Sequence, residues 1–108
     1  MWELLEEFKN ILLNADPSIT HYFGRGDGAY TVWCEYEFDP LYGGNQVAVP
    51  MWRVLVERYT HDEDDPIVRS LFDCLNTAGA GVTYRYSSRR NQKEELIYHA
   101  WDCEVTYG

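Results

Sequence analysis

The chain has 108 residues, of which 45% are hydrophobic, and a formal net charge of −9 from 18 acidic and 9 basic side chains. This length fits a single domain over residues 1–108, and the apolar content suffices for one core, which excludes a wholly disordered chain. No apolar run approaches the ~18 residues that a membrane span needs. The acidic start also lacks the features of a signal peptide, so we expect a cytosolic protein.

The first predicted element is a helix over residues 2–14, where apolar side chains recur every three or four positions. The segment Asn14–Pro17 ends it, because the residue before a proline avoids the helical region. A connector over 18–28 follows, and its glycines permit tight turns.

Residues 29–38 alternate between two faces and predict a strand. The face that we expect to be buried carries Tyr30, Val32, Cys34, Tyr36 and Phe38. Residues 39–46 predict a long, exposed and mobile loop. A second strand is predicted over 47–60, with apolar residues on both faces, as in a central strand or one that meets a partner subunit.

A second helix is predicted over 66–78, with Asp65 as its cap, Pro66 at its first position and Gly79 as its left-handed stop. Two further strands, over 82–86 and 97–107, flank a polar turn at Ser87–Lys93. The order α-β-β-α-β-β predicts an α+β fold, a two-layer sandwich of two helices on a four-stranded antiparallel or mixed sheet.

The patterns that could carry chemistry have simpler structural explanations. The run Asp62–Asp65 lacks the ligand spacing of a calcium loop and is explained as a helix cap. His99 and Cys103 are roughly 13 Å apart on one strand, too far to share a zinc ion. Glu35 and Glu37 are interpreted as a carboxylate pair on one solvated strand face. We therefore predict no catalytic residue, no metal and no cofactor.

The three cysteines are odd in number and form no CxxC pair, so no disulfide is predicted. Four Trp and nine Tyr exceed what one small core usually holds. Both residue types are enriched at protein interfaces, which we favour over scattered exposed aromatics. The candidate interface residues are Trp33, Tyr42, Trp52, Tyr98 and Trp101.

Four segments follow a recognisable pattern: the opening helix with NADPSITHYFG, then YTVWCEYEF, WRVLVERYTHDEDDPIVRSLFDCLNTAG and the closing ELIYHAWDCEVTYG. In these segments the chain resembles tail-terminator and tail-completion proteins of long-tailed bacteriophages, which include minor capsid and head-tail joining proteins. Residues 40–49 match no part of the family pattern, and their role stays open.

The resemblance implies a non-enzymatic virion assembly protein of a phage or prophage, made in the host bacterial cytoplasm and located in the tail or neck. Such proteins form homo-oligomeric rings, commonly hexameric, that end the tail tube and present it to the head connector. The implied partners are further copies of the chain, the tail-tube protein and the head-tail connector protein. DNA would pass through without specific binding, which suits the negative charge, and no membrane is involved.

Two other functions stay open. A small ligand-binding or enzymatic α+β domain would use the surplus Tyr and Trp to line a pocket. An acidic inhibitor that mimics DNA would space carboxylates over one face, whereas these carboxylates cluster at helix starts and alternate with arginine. The assembly protein ranks first, the pocket protein second and the mimic third.

Overall fold

The computed structural model describes residues 2–24, 28–43 and 46–107, with the backbone alone over 41–43 and 46–48. Residues 25–27 of the predicted connector and 44–45 of the predicted loop lie outside the described residues. In chain order the elements are α1 (Trp2–Ala15), β1 (Thr20–His21), β2 (Tyr30–Phe38), β3 (Leu41–Gly43), β4 (Gln46–Val49), β5 (Met51–Thr60), α2 (Pro66–Asn76), β6 (Val82–Asn91) and β7 (Leu96–Thr106).

The α+β class is confirmed, with two helices and a mixed sheet, but the sheet has five strands rather than the predicted four. Its order is β1-β2-β5-β7-β6. The additional strand β1 is only two residues long and pairs parallel with β2, whereas β2, β5, β7 and β6 pair antiparallel with their neighbours. A two-residue strand has no periodicity, so the alternation pattern could not reveal it.

Two predicted connections are wrong because backbone pairing extends further than side-chain alternation indicates. The predicted loop 39–46 contains β3, which pairs antiparallel with β4 in a separate two-stranded sheet. The predicted turn Ser87–Lys93 is largely strand, because β6 stays paired with β7 as far as Asn91 opposite Leu96. Side chains in this part of β6 are exposed, so its sequence lacks an apolar face.

Both helix predictions are confirmed with small shifts at their ends. Asp65 caps α2 by accepting a hydrogen bond from the Ile67 amide, and Pro66 occupies the first turn. The helix ends at Asn76, two residues earlier than predicted, and Gly79 then adopts φ +98°. That conformation strains any residue with a side chain, which explains the glycine.

The helices cover one face of the sheet and bury the core against it. The core residues are Leu4, Leu5, Phe8, Leu12 and Ala15 of α1, Leu71 and Leu75 of α2, and Trp33, Trp52, Val54, Val56, Trp101, Cys103 and Val105 of the sheet. The prediction for β2 is therefore wrong, because Trp33 faces this core while Tyr36 is exposed. A bulge between Glu35 and Glu37 then places Phe38, partly exposed, opposite Trp52.

A buried arginine connects the helices to the central strand β5. Arg58 is only 8% exposed, and its Nε donates to Asp65 at 2.8 Å. Its Nη1 donates to Thr31 Oγ1 at 3.2 Å and lies 3.7 Å from the carboxylate of Asp16. Because Asp16 follows α1 and Asp65 caps α2, one guanidinium fixes an end of each helix. Burying this charge is tolerable only because it is paired and hydrogen-bonded.

The acid-base behaviour of Asp65 follows from these contacts. Burial acts to raise its pKa, but the hydrogen bonds from Arg58, the Ile67 amide and Thr60 outweigh burial and hold the pKa below the ordinary value. A carboxylate with a lowered folded-state pKa stabilises the fold above its unfolded-state pKa, at about pH 4, and loses this contribution as the pH falls through the folded-state value.

Asp65→Asn is expected to lower the free energy of unfolding at pH 7 by about 3 kcal/mol, because asparagine keeps the cap acceptor but removes a charge that Arg58 needs. The difference from the wild type should shrink as the pH falls from about 4, where the unfolded-state carboxylate protonates, through the lower folded-state pKa of Asp65. Urea unfolding at several pH values measures both effects. The neighbouring exposed Asp64→Asn is the control, with an expected change under about 0.5 kcal/mol. Equal losses in the two variants would contradict the account.

Candidate assembly surface

The five predicted interface residues lie in different places. Trp33, Trp52 and Trp101 are 4%, 8% and 0% exposed in the core beneath the helices. One core thus holds three of the four tryptophans, which the sequence analysis did not expect. Tyr98 lies half-buried on the opposite, helix-free face, and the side chain of Tyr42 in β3 lies outside the described residues. Contact of any of the five with another subunit stays a prediction.

The tryptophans fit into one core because the sheet spreads them over three strands. Trp101 makes an edge contact with Phe72 of α2, at 5.2 Å between ring centres. The ring of His21 stacks on Trp33 with 4.0 Å between ring centres, and Trp52 packs against Phe38 with 4.8 Å between ring centres. The three indoles therefore stabilise the two-layer packing itself.

The helix-free face carries a row of three tyrosines, Tyr30, Tyr59 and Tyr98, here called the tyrosine row. Tyr30 and Tyr59 stack at 4.8 Å, and Tyr59 meets Tyr98 at 5.0 Å. The guanidinium carbon of Arg89 lies 4.8 Å from the centre of the Tyr98 ring. The row thus crosses the sheet from β2 to β6 as a packed surface.

A carboxylate fixes the tyrosine row. The Tyr98 hydroxyl donates to Glu57 at 2.6 Å, and the Tyr59 hydroxyl donates to the same oxygen at 3.3 Å. Burial, together with the charge of Glu57, raises the pKa of Tyr59 to about 12 and raises that of Tyr98 further. These phenols stay neutral at physiological pH, so they are unsuited to proton transfer there.

The other end of the helix-free face is acidic. Arg53 lies at its centre and contacts Glu104 at 2.9 Å, Asp39 at 3.4 Å and Glu37 at 3.6 Å. One cation thus meets three carboxylates, and the surroundings keep net negative charge. The prediction that Glu35 and Glu37 share a face is wrong. The bulge pairs them with the consecutive residues Val54 and Arg53, which point to opposite faces.

The β2 edge of the sheet is only partly covered. β1 pairs with Val32 and Trp33, and residues 34–38 pair with no further strand among the described residues. Beside this free stretch lies an exposed aromatic corner formed by Tyr22 and Phe23, whose side chains are 52% and 76% exposed. Sequence periodicity gave no sign of this corner, although the run His21–Phe23 before a glycine was visible.

The aromatic corner is held in a specific conformation. Tyr22 has φ +70°, which costs an ordinary residue about 1–3 kcal/mol. Its hydroxyl donates to Glu35, and the same carboxylate contacts His21 Nε2 at 2.6 Å. Burial acts to raise the pKa of Glu35, but these two partners outweigh burial and lower it. The corner is therefore an ordered surface.

The opposite edge, β6, is basic. Arg85, Arg89 and Arg90 are exposed there, and none forms an ion pair with a described residue. In a chain with twice as many acidic as basic residues, this concentration of unpaired arginine is unusual. Within the described ranges β6 also has a strand partner on one side only, so its other side leaves backbone groups free.

The described residues offer little for catalysis. Burial raises the pKa of Cys103 to about 12 and raises that of Cys34, which makes both thiols poor nucleophiles. No group of three or more His, Cys, Asp or Glu side chains within the described part of the chain could hold a metal ion. None of the described helices is both long and apolar enough to cross a membrane.

Tyrosine titration tests the geometry of the helix-free face. Hydrogen bonding to Asp102 raises the pKa of Tyr36 to about 12, as burial does chiefly for Tyr59. A raised phenol pKa stabilises the fold below about pH 10 and loses this contribution as the pH rises through the folded-state value. Ultraviolet titration should therefore show a group of tyrosines that ionise at higher pH than the others. In denaturant all the tyrosines should ionise in one transition near pH 10. Tyr36→Phe and Tyr98→Phe should each shrink the group that ionises at higher pH, whereas uniform ionisation of the folded protein near pH 10 would contradict the networks.

The sequence matches no protein-family model and no curated protein. Several solved structures share the fold, and they include the following two. A chain in the virion of the native gene transfer agent particle superposes with a TM-score of 0.57 at 11% sequence identity, covering 95% of this chain and 90% of that one. A crystal structure of a protein from Akkermansia muciniphila superposes with a TM-score of 0.50 at 10% identity, covering 96% of this chain but 49% of that one. At these identities the likeness establishes the fold alone.

Proposed function

We propose that the chain is a structural protein of a phage or phage-like particle, and that it acts by assembly rather than catalysis. The observation that supports this most strongly is the fold shared with a chain of the gene transfer agent virion along nearly the whole of both chains. The resemblance of the sequence to tail-terminator proteins supports the same class of function.

The more specific proposal is a ring that ends the tail tube and joins it to the head connector. Its partners would be further copies of the chain, the tail-tube protein and the connector protein. A ring requires two different, complementary surfaces on each subunit, and the β2 and β6 edges would supply them. The net charge of −9 would let DNA pass without binding. The protein would be made in the bacterial cytoplasm and reside in the virion.

The helix-free face supports assembly over a ligand pocket. In the pocket hypothesis the surplus aromatics line an enclosed cavity, whereas Tyr59 and Tyr98 line an open depression, pack on each other and donate hydrogen bonds to Glu57. Three tryptophans fill the core instead of a binding site. Of the proposed interface residues, Tyr98 and Tyr42 would contact partners directly, and Trp33, Trp52 and Trp101 would support the interface from beneath.

Solution mass tests the proposal. Light scattering over a concentration series, combined with negative-stain images, should reveal closed rings of about six chains, either for the isolated protein or after addition of the tail-tube protein from the same phage or prophage. A tail-tube protein from an unrelated phage is the control and should not induce rings. A strict monomer or dimer that ignores its own tube protein would contradict the proposal and favour the pocket protein.

A further inference from the structure

We infer that the sheet continues from one subunit to the next, with the start of β6 in one copy pairing antiparallel with residues 34–38 of β2 in a second copy. The inference rests on the proposed function, because it specifies how subunits of the ring join. It follows from strand direction, register and charge, taken in turn below.

Strand direction permits the join. β2, β5, β7 and β6 are neighbours in this order, and each pair is antiparallel, so their directions alternate strictly. Four alternating strands leave β6 running opposite to β2. A second copy displaced sideways along the sheet therefore presents its β2 edge antiparallel to β6. Because the two edges differ, the contact is head-to-tail and can repeat until a ring closes.

The register brings the start of β6 in one copy next to residues 34–38 of β2 in the second copy. Across the sheet, Val82 is level with Phe38, through the row Val82–Val105–Trp52–Phe38. Arg85 is level with Cys34 in the same way, through Asp102 and Leu55. Sideways displacement without slippage thus places residues 82–85 opposite residues 34–38. This is the stretch that β1 leaves uncovered.

Side chains on both faces of this junction complement each other. On the helix-free face, Thr83 is level with Glu37, so Arg85, two residues along, becomes a diagonal neighbour of Glu37 in the second copy. Long side chains bridge such diagonals. Within its own chain Arg85 is level with Asp102, but it forms no ion pair with any described residue. On the helix face, Val82 would cover the partly exposed Phe38.

The aromatic corner would be covered by the same contact. Tyr86 is level with Trp33, and β1 lies outside Trp33 with His21 and then Tyr22. The exposed ring of Tyr86 in one copy would therefore meet Tyr22 of the next. Such aromatic pairs stabilise cross-strand contacts. From Tyr86 onward, β6 would diverge from β2 of the second copy and pass outside β1, which occupies the position beside Val32 and Trp33. This outer part of β6 carries Arg89 and Arg90.

Engineered cysteines test the register. In a Cys34→Ser, Cys74→Ser background, the pair Glu37→Cys with Thr83→Cys should form disulfides between copies, because the two positions become neighbours. Within one chain these positions are separated by β5 and β7, three strand spacings or about 14 Å, too far for an internal bridge. Mild oxidation should give a ladder from dimer to closed ring on a non-reducing gel. The control pair Glu37→Cys with Ser87→Cys is displaced by four residues, roughly 13 Å, and should not give a ladder.

Charge reversal gives a second measurement that needs no disulfide. Arg85→Glu should weaken self-association at least tenfold, while the exposed Arg69→Glu on α2, with the same change of charge, should leave it within twofold. Rings that form without the disulfide ladder, or that respond equally to the two reversals, would overturn this inference and leave the proposed function standing. That outcome would make the β6 arginines a guard against edge pairing. A protein that stays monomeric with and without tube protein would overturn both.

Discussion

The Arg58 guanidinium is the contact on which the architecture depends, because it is charged, buried and shared. It leaves β5, the central strand, and reaches Asp65 at the start of α2 and Asp16 just beyond α1. An arginine in this position is stable only when both helices deliver their carboxylates, so the ion pairs select one placement of the helices on the sheet. That placement buries Trp33, Trp52 and Trp101 on one face and leaves the other face without a helix.

An uncovered sheet face normally exposes apolar surface, but on this face the side chains pack on each other and pair within the same chain. The tyrosine row packs on itself and bonds to Glu57, and Arg53 gathers the carboxylates at the other end. Among the described residues, two edges of the sheet stay open to a partner: β6, with its arginines that form no ion pair, and residues 34–38 beside the aromatic corner. A chain with two different open sheet edges is suited to joining copies of itself, as proposed above.

Local sequence patterns predicted the helices and the long strands. Periodicity and the Asp65–Pro66 cap located both helices, and alternation located the four long strands, because these signals depend on neighbouring residues. Alternation divides β2 into two faces but does not say which face meets the helices, and both faces carry aromatics. The bulge near Glu35 then exchanges the faces within the strand. Two partners of Arg58, Asp16 and Thr31, are distant in sequence, so no local pattern could reveal them. The sequence analysis underestimated the number of tryptophans in the core for the same reason, since that number depends on how much sheet the helices cover.

The central claim is that this chain is a component of a particle, and quantitative mass spectrometry of purified virions tests it most directly. Particles from the phage or prophage that encodes the chain would be banded by density, and its peptides would be counted against the major capsid protein. The account predicts that the chain bands with intact particles at a fixed, low copy number of about six per particle, as expected for one ring. A chain that is abundant in the lysate but absent from banded particles would contradict the account.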